Sequence, residues 1–117
     1  MKVPFRMFQT RSPERDKEQD RARIERIRRV VAAELQGAIN ERDGLTTRRE
    51  RDYAVAATSL SQLGEFGERS SADEQSISEL ERNAERANTR IKILNIQIES
   101  IHRLMALLNE MDSLPSQ

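Results

Sequence analysis

Residues 77–108 read ISELERNAERANTRIKILNIQIESIHRLMALL, and this stretch decides the fold. Its apolar residues alternate spacings of three and four without a miss: Ile77, Leu80, Ala84, Ala87, Ile91, Leu94, Ile98, Ile101, Met105 and Leu108. That alternation is typical of the a and d positions of a coiled coil. Ser71 and Glu74 match a capping box just ahead of it, so we predict a helix over residues 72–112.

A weaker pattern of the same kind precedes this helix. One row recurs every seven residues, a companion row lies beside it, and two further residues continue the stripe: Ile24, Val31, Ala38 and Leu45; Leu35, Ala56 and Leu63; Tyr53 and Leu60. Ser12 and Pro13 are typical of a helix start, and Gly64 is typical of a helix end. The sequence therefore predicts a first helix over residues 13–63.

Two long helices joined by a short turn, here residues 64–71, are expected to fold back on each other. The predicted fold is all-α, an antiparallel two-helix coiled-coil hairpin in which residue i lies near residue 135 − i. Gly37 and Gly44 would then face isoleucines and permit a close approach of the helices. Ala84 and Ala87 would meet charged residues, which predicts a poorly packed middle.

Gly44 raises an alternative. Asp43-Gly44 is typical of a turn, and Thr47 could cap a new helix. The chain would then be a three-helix bundle with helices 13–43, 47–63 and 72–112. We favour the hairpin, because the first row passes through Gly44 without a change of phase and a single helical glycine costs only about 1 kcal/mol.

The predicted domain organisation has three parts. Residues 1–11 form a flexible N-terminal arm, residues 12–114 form the helical hairpin, and residues 115–117 form a tail. The arm carries three large apolar residues, Phe5, Met7 and Phe8.

The second helix carries a further row of apolar residues, which we call the second stripe: Ile93, Ile96, Leu104, Leu107, Met111 and Leu114. These positions fall largely away from the coiled-coil seam. A helix that is apolar on two sides needs a second neighbour, so the second stripe is the predicted partner-binding surface. Three candidates could bury the second stripe: a second copy in a homodimer, a different protein, or the arm laid back through Phe5, Met7 and Phe8.

Composition limits the chemistry. The 117 residues are 34% charged and 3% aromatic, with 20 basic and 20 acidic side chains, no cysteine and one histidine. Thiolate chemistry is excluded, and we expect no catalytic site, no cofactor and no metal. Balanced charge and few aromatics disfavour nucleic acid. No run approaches the roughly 20 apolar residues of a membrane span, and we expect a cytoplasmic protein.

A basic patch is the other candidate site. Residues 1–29 hold ten basic and five acidic side chains. Within them lies an arginine-rich run made of Arg21, Arg23, Arg26, Arg28 and Arg29. The run is either a docking patch for an acidic surface or a solvated helix face neutralised by nearby carboxylates.

The pattern of the N-terminal residues also resembles that of a known family. Phe5-Arg6 with Gln9, the charged run from Glu14 to Gln19, and Ala22-Arg23-Ile24-Glu25 are similar to the coiled-coil stalk proteins of flagellar and type III secretion export. That resemblance covers roughly the first thirty residues and the two-helix plan. It implies a hairpin that contacts other proteins. We therefore expect a non-enzymatic interaction module, an adaptor, stalk or chaperone, with a structural self-associating module as the alternative.

Overall fold

The computed structural model of the chain describes residues 12–66 and 71–113. Helix α1 spans Pro13–Phe66 and helix α2 spans Ser71–Asp112. The helices pack against each other as an antiparallel hairpin, so the predicted fold class is confirmed. The arm with Phe5, Met7 and Phe8, residues 67–70 of the predicted turn, and Leu114 with the tail lie outside the described residues.

Helix α1 starts where the sequence predicts. The Arg15 backbone N–H donates to Ser12 Oγ at 3.1 Å, and the Asp16 N–H donates to the Ser12 carbonyl at 3.1 Å. Ser12 is therefore the N-cap, and Pro13 occupies the first helical position, where its missing N–H is not needed.

Helix α1 runs through Gly44 without a break, so the three-helix alternative is wrong. Thr47, the residue proposed to cap a new helix, instead donates its hydroxyl to the Asp43 carbonyl four residues back at 3.1 Å. That bond satisfies the hydrogen-bond donor of the hydroxyl within a continuous helix. The helix also continues past Gly64 to Phe66, three residues beyond the predicted end, because a glycine lowers helix stability without forbidding the helix.

The glycines do not mediate close helix contact, contrary to our expectation. A Cβ placed on Gly37 or Gly44 would meet no atom within 4 Å. Each glycine precedes a residue of the helix interface, Ala38 or Leu45, and so lies beside that interface.

The structure divides into two compact units, each built from both helices. In unit 1, residues 12–35 of α1 pair with residues 100–113 of α2. Its core is the cluster of Ile24, Val31 and Leu108, with Ile101 and Met105 packed against it. In unit 2, residues 36–66 pair with residues 71–99, around buried Ala56, Ile77, Ala84, Ile91, Leu94 and Ile98.

On each helix, the residues of the helix–helix interface form one row at alternating spacings of three and four residues. We call this row the seam. On α2 the seam is the predicted row from Ile77 to Leu108, every member of which is buried or half-buried. On α1 one row of buried and half-buried positions recurs at spacings of four and three: Ile24, Arg28, Val31, Leu35, Ala38, Arg42, Leu45, Arg49, Asp52, Ala56 and Ser59. Tyr53 is 43% exposed and does not continue the stripe, because Asp52 and Ala56 hold the seam positions around it.

Candidate interaction surface

Three seam positions of α1 hold arginine, and each arginine reaches an asparagine of α2. Arg28 Nη2 donates to Asn109 Oδ1 at 3.2 Å in unit 1. In unit 2, Arg42 Nη1 donates to Asn95 Oδ1 at 3.3 Å. We call these contacts, together with the one at Arg49, the arginine–asparagine rungs.

The third rung completes the pattern. Arg49 Nη1 donates to Asn88 Oδ1 at 2.9 Å in unit 2. In every rung the two residue numbers add to 137, close to the predicted 135. Each asparagine follows a seam residue of α2 by one position, so within each unit the arginine stem crosses the seam and its guanidinium group lies on the flank that carries the asparagine.

Arg28 has two further polar contacts inside unit 1. Its Nη1 lies 2.6 Å from Glu25 Oε2, and its Nη2 lies 3.2 Å from Asp112 Oδ2. The hydrogen bond that Arg28 donates to Glu25 raises the pKa of Arg28 above its ordinary value. Loss of solvent acts in the opposite direction, and the hydrogen bond to Asp112 adds to the increase. Arg28 was predicted to be part of the basic patch, but it is engaged in contacts of the hairpin itself.

The remaining arginines of the basic patch are exposed on α1: Arg21, Arg23, Arg26 and Arg29. Two of them lie near carboxylates of the same helix. Arg23 is 3.5 Å from Asp20 and Arg29 is 3.7 Å from Glu25. At such exposure these pairs contribute little to stability.

The opposite flank of the hairpin carries an ion pair in unit 2. Arg90 Nε donates to Glu41 Oε2 at 2.9 Å, and Arg90 Nη2 donates to Glu41 Oε1 at 3.3 Å. The hydrogen bond from Arg90 lowers the pKa of Glu41 and raises that of Arg90. Each of the two residues precedes a seam residue by one position, Arg42 on α1 and Ile91 on α2. Residues in that position on either helix therefore lie on the same flank.

In unit 1 this second flank is apolar, and we call it the apolar flank. Four of its members precede a seam residue by one position, and the fifth, Met111, lies four residues after Leu107 on the same face of α2: Ile27 and Val30 on α1, and Leu104, Leu107 and Met111 on α2. All are exposed, from 43% at Ile27 to 64% at Val30. The α2 members belong to the second stripe. Ile93 and Ile96, the second-stripe residues of unit 2, are also exposed, at 44% and 64%.

Sequence reasoning missed Ile27 and Val30. Their position becomes readable only when Arg28 is counted as a seam residue, because Ile27 then precedes one seam position and Val30 precedes the next. A polar residue in a seam position hides the periodicity that defines both flanks.

A surface groove lies over the middle of the hairpin in unit 2. Its volume is about 350 Å³, and small or charged seam residues contribute to its lining, Asp52 from α1 and Ala87 from α2. The predicted poor packing of this region agrees with the groove, although Ala84 beside it is fully buried.

The described residues contain no group of three or more histidine and acidic side chains placed to hold a metal ion. Within the same residues, neither helix offers an apolar run that could cross a membrane. Comparison of the chain with protein family models, with curated proteins and with solved structures found no match.

Proposed function

We propose that this protein is a non-enzymatic interaction module that binds a helical partner protein on the apolar flank. The observation that carries the proposal is the exposure of five large apolar side chains on one flank of unit 1. The opposite flank of unit 1 bears Asn109 and the guanidinium group of Arg28, so this unit has one apolar flank and one polar flank. Contiguous exposed apolar surface of this kind marks protein-binding sites.

The energetics favour a partner. Completing the burial of a half-exposed leucine, isoleucine or methionine is worth about 1 kcal/mol. Five such side chains contribute about 5 kcal/mol before the costs of association. A partner helix lying along this flank, between its α1 and α2 members, would cover all five.

Two features of the N-terminal part of α1 support the same class of function. The exposed arginines Arg21, Arg23, Arg26 and Arg29 lie on the helix that carries Ile27 and Val30. Positive charge near an apolar site steers acidic partners toward it. The resemblance of the N-terminal residues to export-stalk proteins also favours an adaptor or stalk role.

Site-specific photo-cross-linking tests the proposal. A benzophenone amino acid at position 107, on the apolar flank, is expected to cross-link a protein under native conditions. The same probe at position 106, an exposed alanine on the asparagine flank, is the matched control and is expected to give no product. Absence of any product from position 107, or the same product from both positions, would refute the proposal.

A pair of substitutions separates binding from folding. Leu107→Glu is expected to keep the helical circular-dichroism signal and to abolish the cross-link from a probe placed at Leu104. Ile98→Glu places an uncompensated charge in the seam and is expected to lower helicity sharply. Equal loss of helicity in both variants would mean that Leu107 is part of the hairpin core.

A further inference from the structure

We propose that the protein docked on the second stripe is a second copy of this chain, with its α2 antiparallel to the first. This inference rests on the proposed function, because the second stripe shares Leu104, Leu107 and Met111 with the apolar flank. The two-fold axis would pass between Arg103 and Leu104, and the resulting dimer would bring four helices together.

The first argument is that the second stripe reads nearly the same in both directions. Helix α2 is continuous from Ser71 to Asp112, and Ser100 fills the gap between Ile96 and Leu104. The residue numbers of Ile96 and Met111 add to 207, and those of Ser100 and Leu107 also add to 207. In a two-fold interface each residue meets the same partner from both sides, so such a palindrome is self-complementary.

Packing in this register is physically reasonable. Ile96 of one copy would meet Met111 of the other, and the small Ser100 would accommodate Leu107. Leu104 would lie beside the axis, next to its own equivalent.

The second argument is the pairing of opposite charges beside the second stripe. The expected spacing of such pairs can be taken from the contacts between α1 and α2. The rungs fix seam layers whose residue numbers add to 136, such as Val31 with Met105. The ion pair on the residues that precede the seam, Glu41 with Arg90, adds to 131, five less. An antiparallel pair built on the second stripe would therefore bring together flanking residues whose numbers add to about 202.

Charged residues beside the second stripe have residue numbers that add to this value. Lys92 and Glu110 each precede a stripe position by one, and both are exposed. Their residue numbers add to 202. The pair joins opposite charges and would occur twice in the dimer. A parallel pair would instead set each charge against its own copy.

Cysteine cross-linking tests the orientation, because the chain has no native cysteine. A mixture of Ile96→Cys and Met111→Cys proteins, one carrying a tag that shifts its mass, is expected to form a mixed disulfide. Neither variant alone is expected to form a disulfide dimer. Disulfides within a single variant, without the mixed product, would indicate a parallel pair and would overturn the proposal.

Charge reversal tests the register by sedimentation equilibrium of the full-length chain. Lys92→Glu and Glu110→Lys are each expected to raise the dimer dissociation constant about tenfold, since each sets like charges together at two places. The double variant is expected to return to within about threefold of the original. Arg82→Glu, an exposed change of the same charge away from the stripe, is the control. Failure of the double variant to recover would overturn the register.

The outcome for the unaltered chain separates this inference from the proposed function. A monomer at about 100 μM that still cross-links a different protein from position 107 would overturn the second copy and leave the proposed function standing. A monomer that cross-links nothing would overturn both.

Discussion

At the scale of single residues, the most informative feature is arginine in the seam. Arg28, Arg42 and Arg49 occupy positions that a coiled coil normally gives to apolar residues. Their stems lie across the seam while their charged ends meet asparagines on the flank. Polar groups at seam positions fix register at a cost in stability, so we interpret the rungs as the device that selects the observed pairing.

That interpretation predicts the effect of Arg42→Leu. The substitution gives up two exposed hydrogen bonds, to Asn95 at 3.3 Å and to Asp43 at 3.2 Å, and places an apolar side chain at a seam position. We expect the free energy of unfolding to rise by about 1 kcal/mol. Thermal or urea unfolding at a fixed protein concentration measures it, with exposed Arg51→Leu as a control that changes stability by less than about 0.5 kcal/mol. A clear loss of stability in Arg42→Leu would show that the rung stabilises more than a packed leucine does.

The Glu41–Arg90 ion pair predicts a pH dependence. Because the pKa of Glu41 is lowered in the folded state, its contribution is present at neutral pH and is lost as the pH falls from the ordinary value of 4.5 through the lowered pKa. Glu41→Gln should therefore be less stable than the original chain at pH 7 and equally stable in strong acid. Urea unfolding at a series of pH values checks this, with exposed Glu34→Gln as the control. A stability difference that does not change with pH would contradict it.

At the scale of the helices, the two sequences differ in how much they reveal. Helix α2 carries apolar residues at every seam position from Ile77 to Leu108, so its period and buried face could be predicted. Helix α1 has arginine or aspartate at four seam positions, and only its apolar rows were visible. Tyr53 was misplaced for that reason. Gly44 also suggested a turn, because the low helix propensity of glycine takes no account of the contacts with α2 made by the residues on either side.

The continuity of α1 makes Gly44→Ala a direct test. A methyl group at this position meets nothing within 4 Å, and alanine is the better helix former. We expect about 1 kcal/mol of added stability, and a similar gain from Gly37→Ala. Because the two sites are distant, the gains should add in the double variant. A loss of stability in Gly44→Ala would mean that the chain needs a bend at that residue.

At the scale of the whole molecule, one helix pair leaves apolar surface that it cannot cover. The seam uses one face of α2, while Leu104, Leu107 and Met111 remain exposed beside it. The second stripe was readable from the sequence because it follows helical spacing on one element. The contribution of Ile27 and Val30 to the apolar flank could not be predicted from the sequence, because it depends on which face of α1 packs against α2.

The pairing of the helices underlies both the surface and its proposed partner, and an electron spin resonance distance tests it most directly. Spin labels on Glu41→Cys and Arg90→Cys, diluted with unlabelled protein, should give a short intramolecular distance of about 10–20 Å, since the native side chains lie 2.9 Å apart. Moving the second label from position 90 to position 73 should bring the distance to about 30 Å, because seventeen helical residues rise about 25 Å along the helix axis. A separation near 70 Å for the first pair, as expected for one uninterrupted helix, or a short distance that vanishes on dilution, would contradict the hairpin.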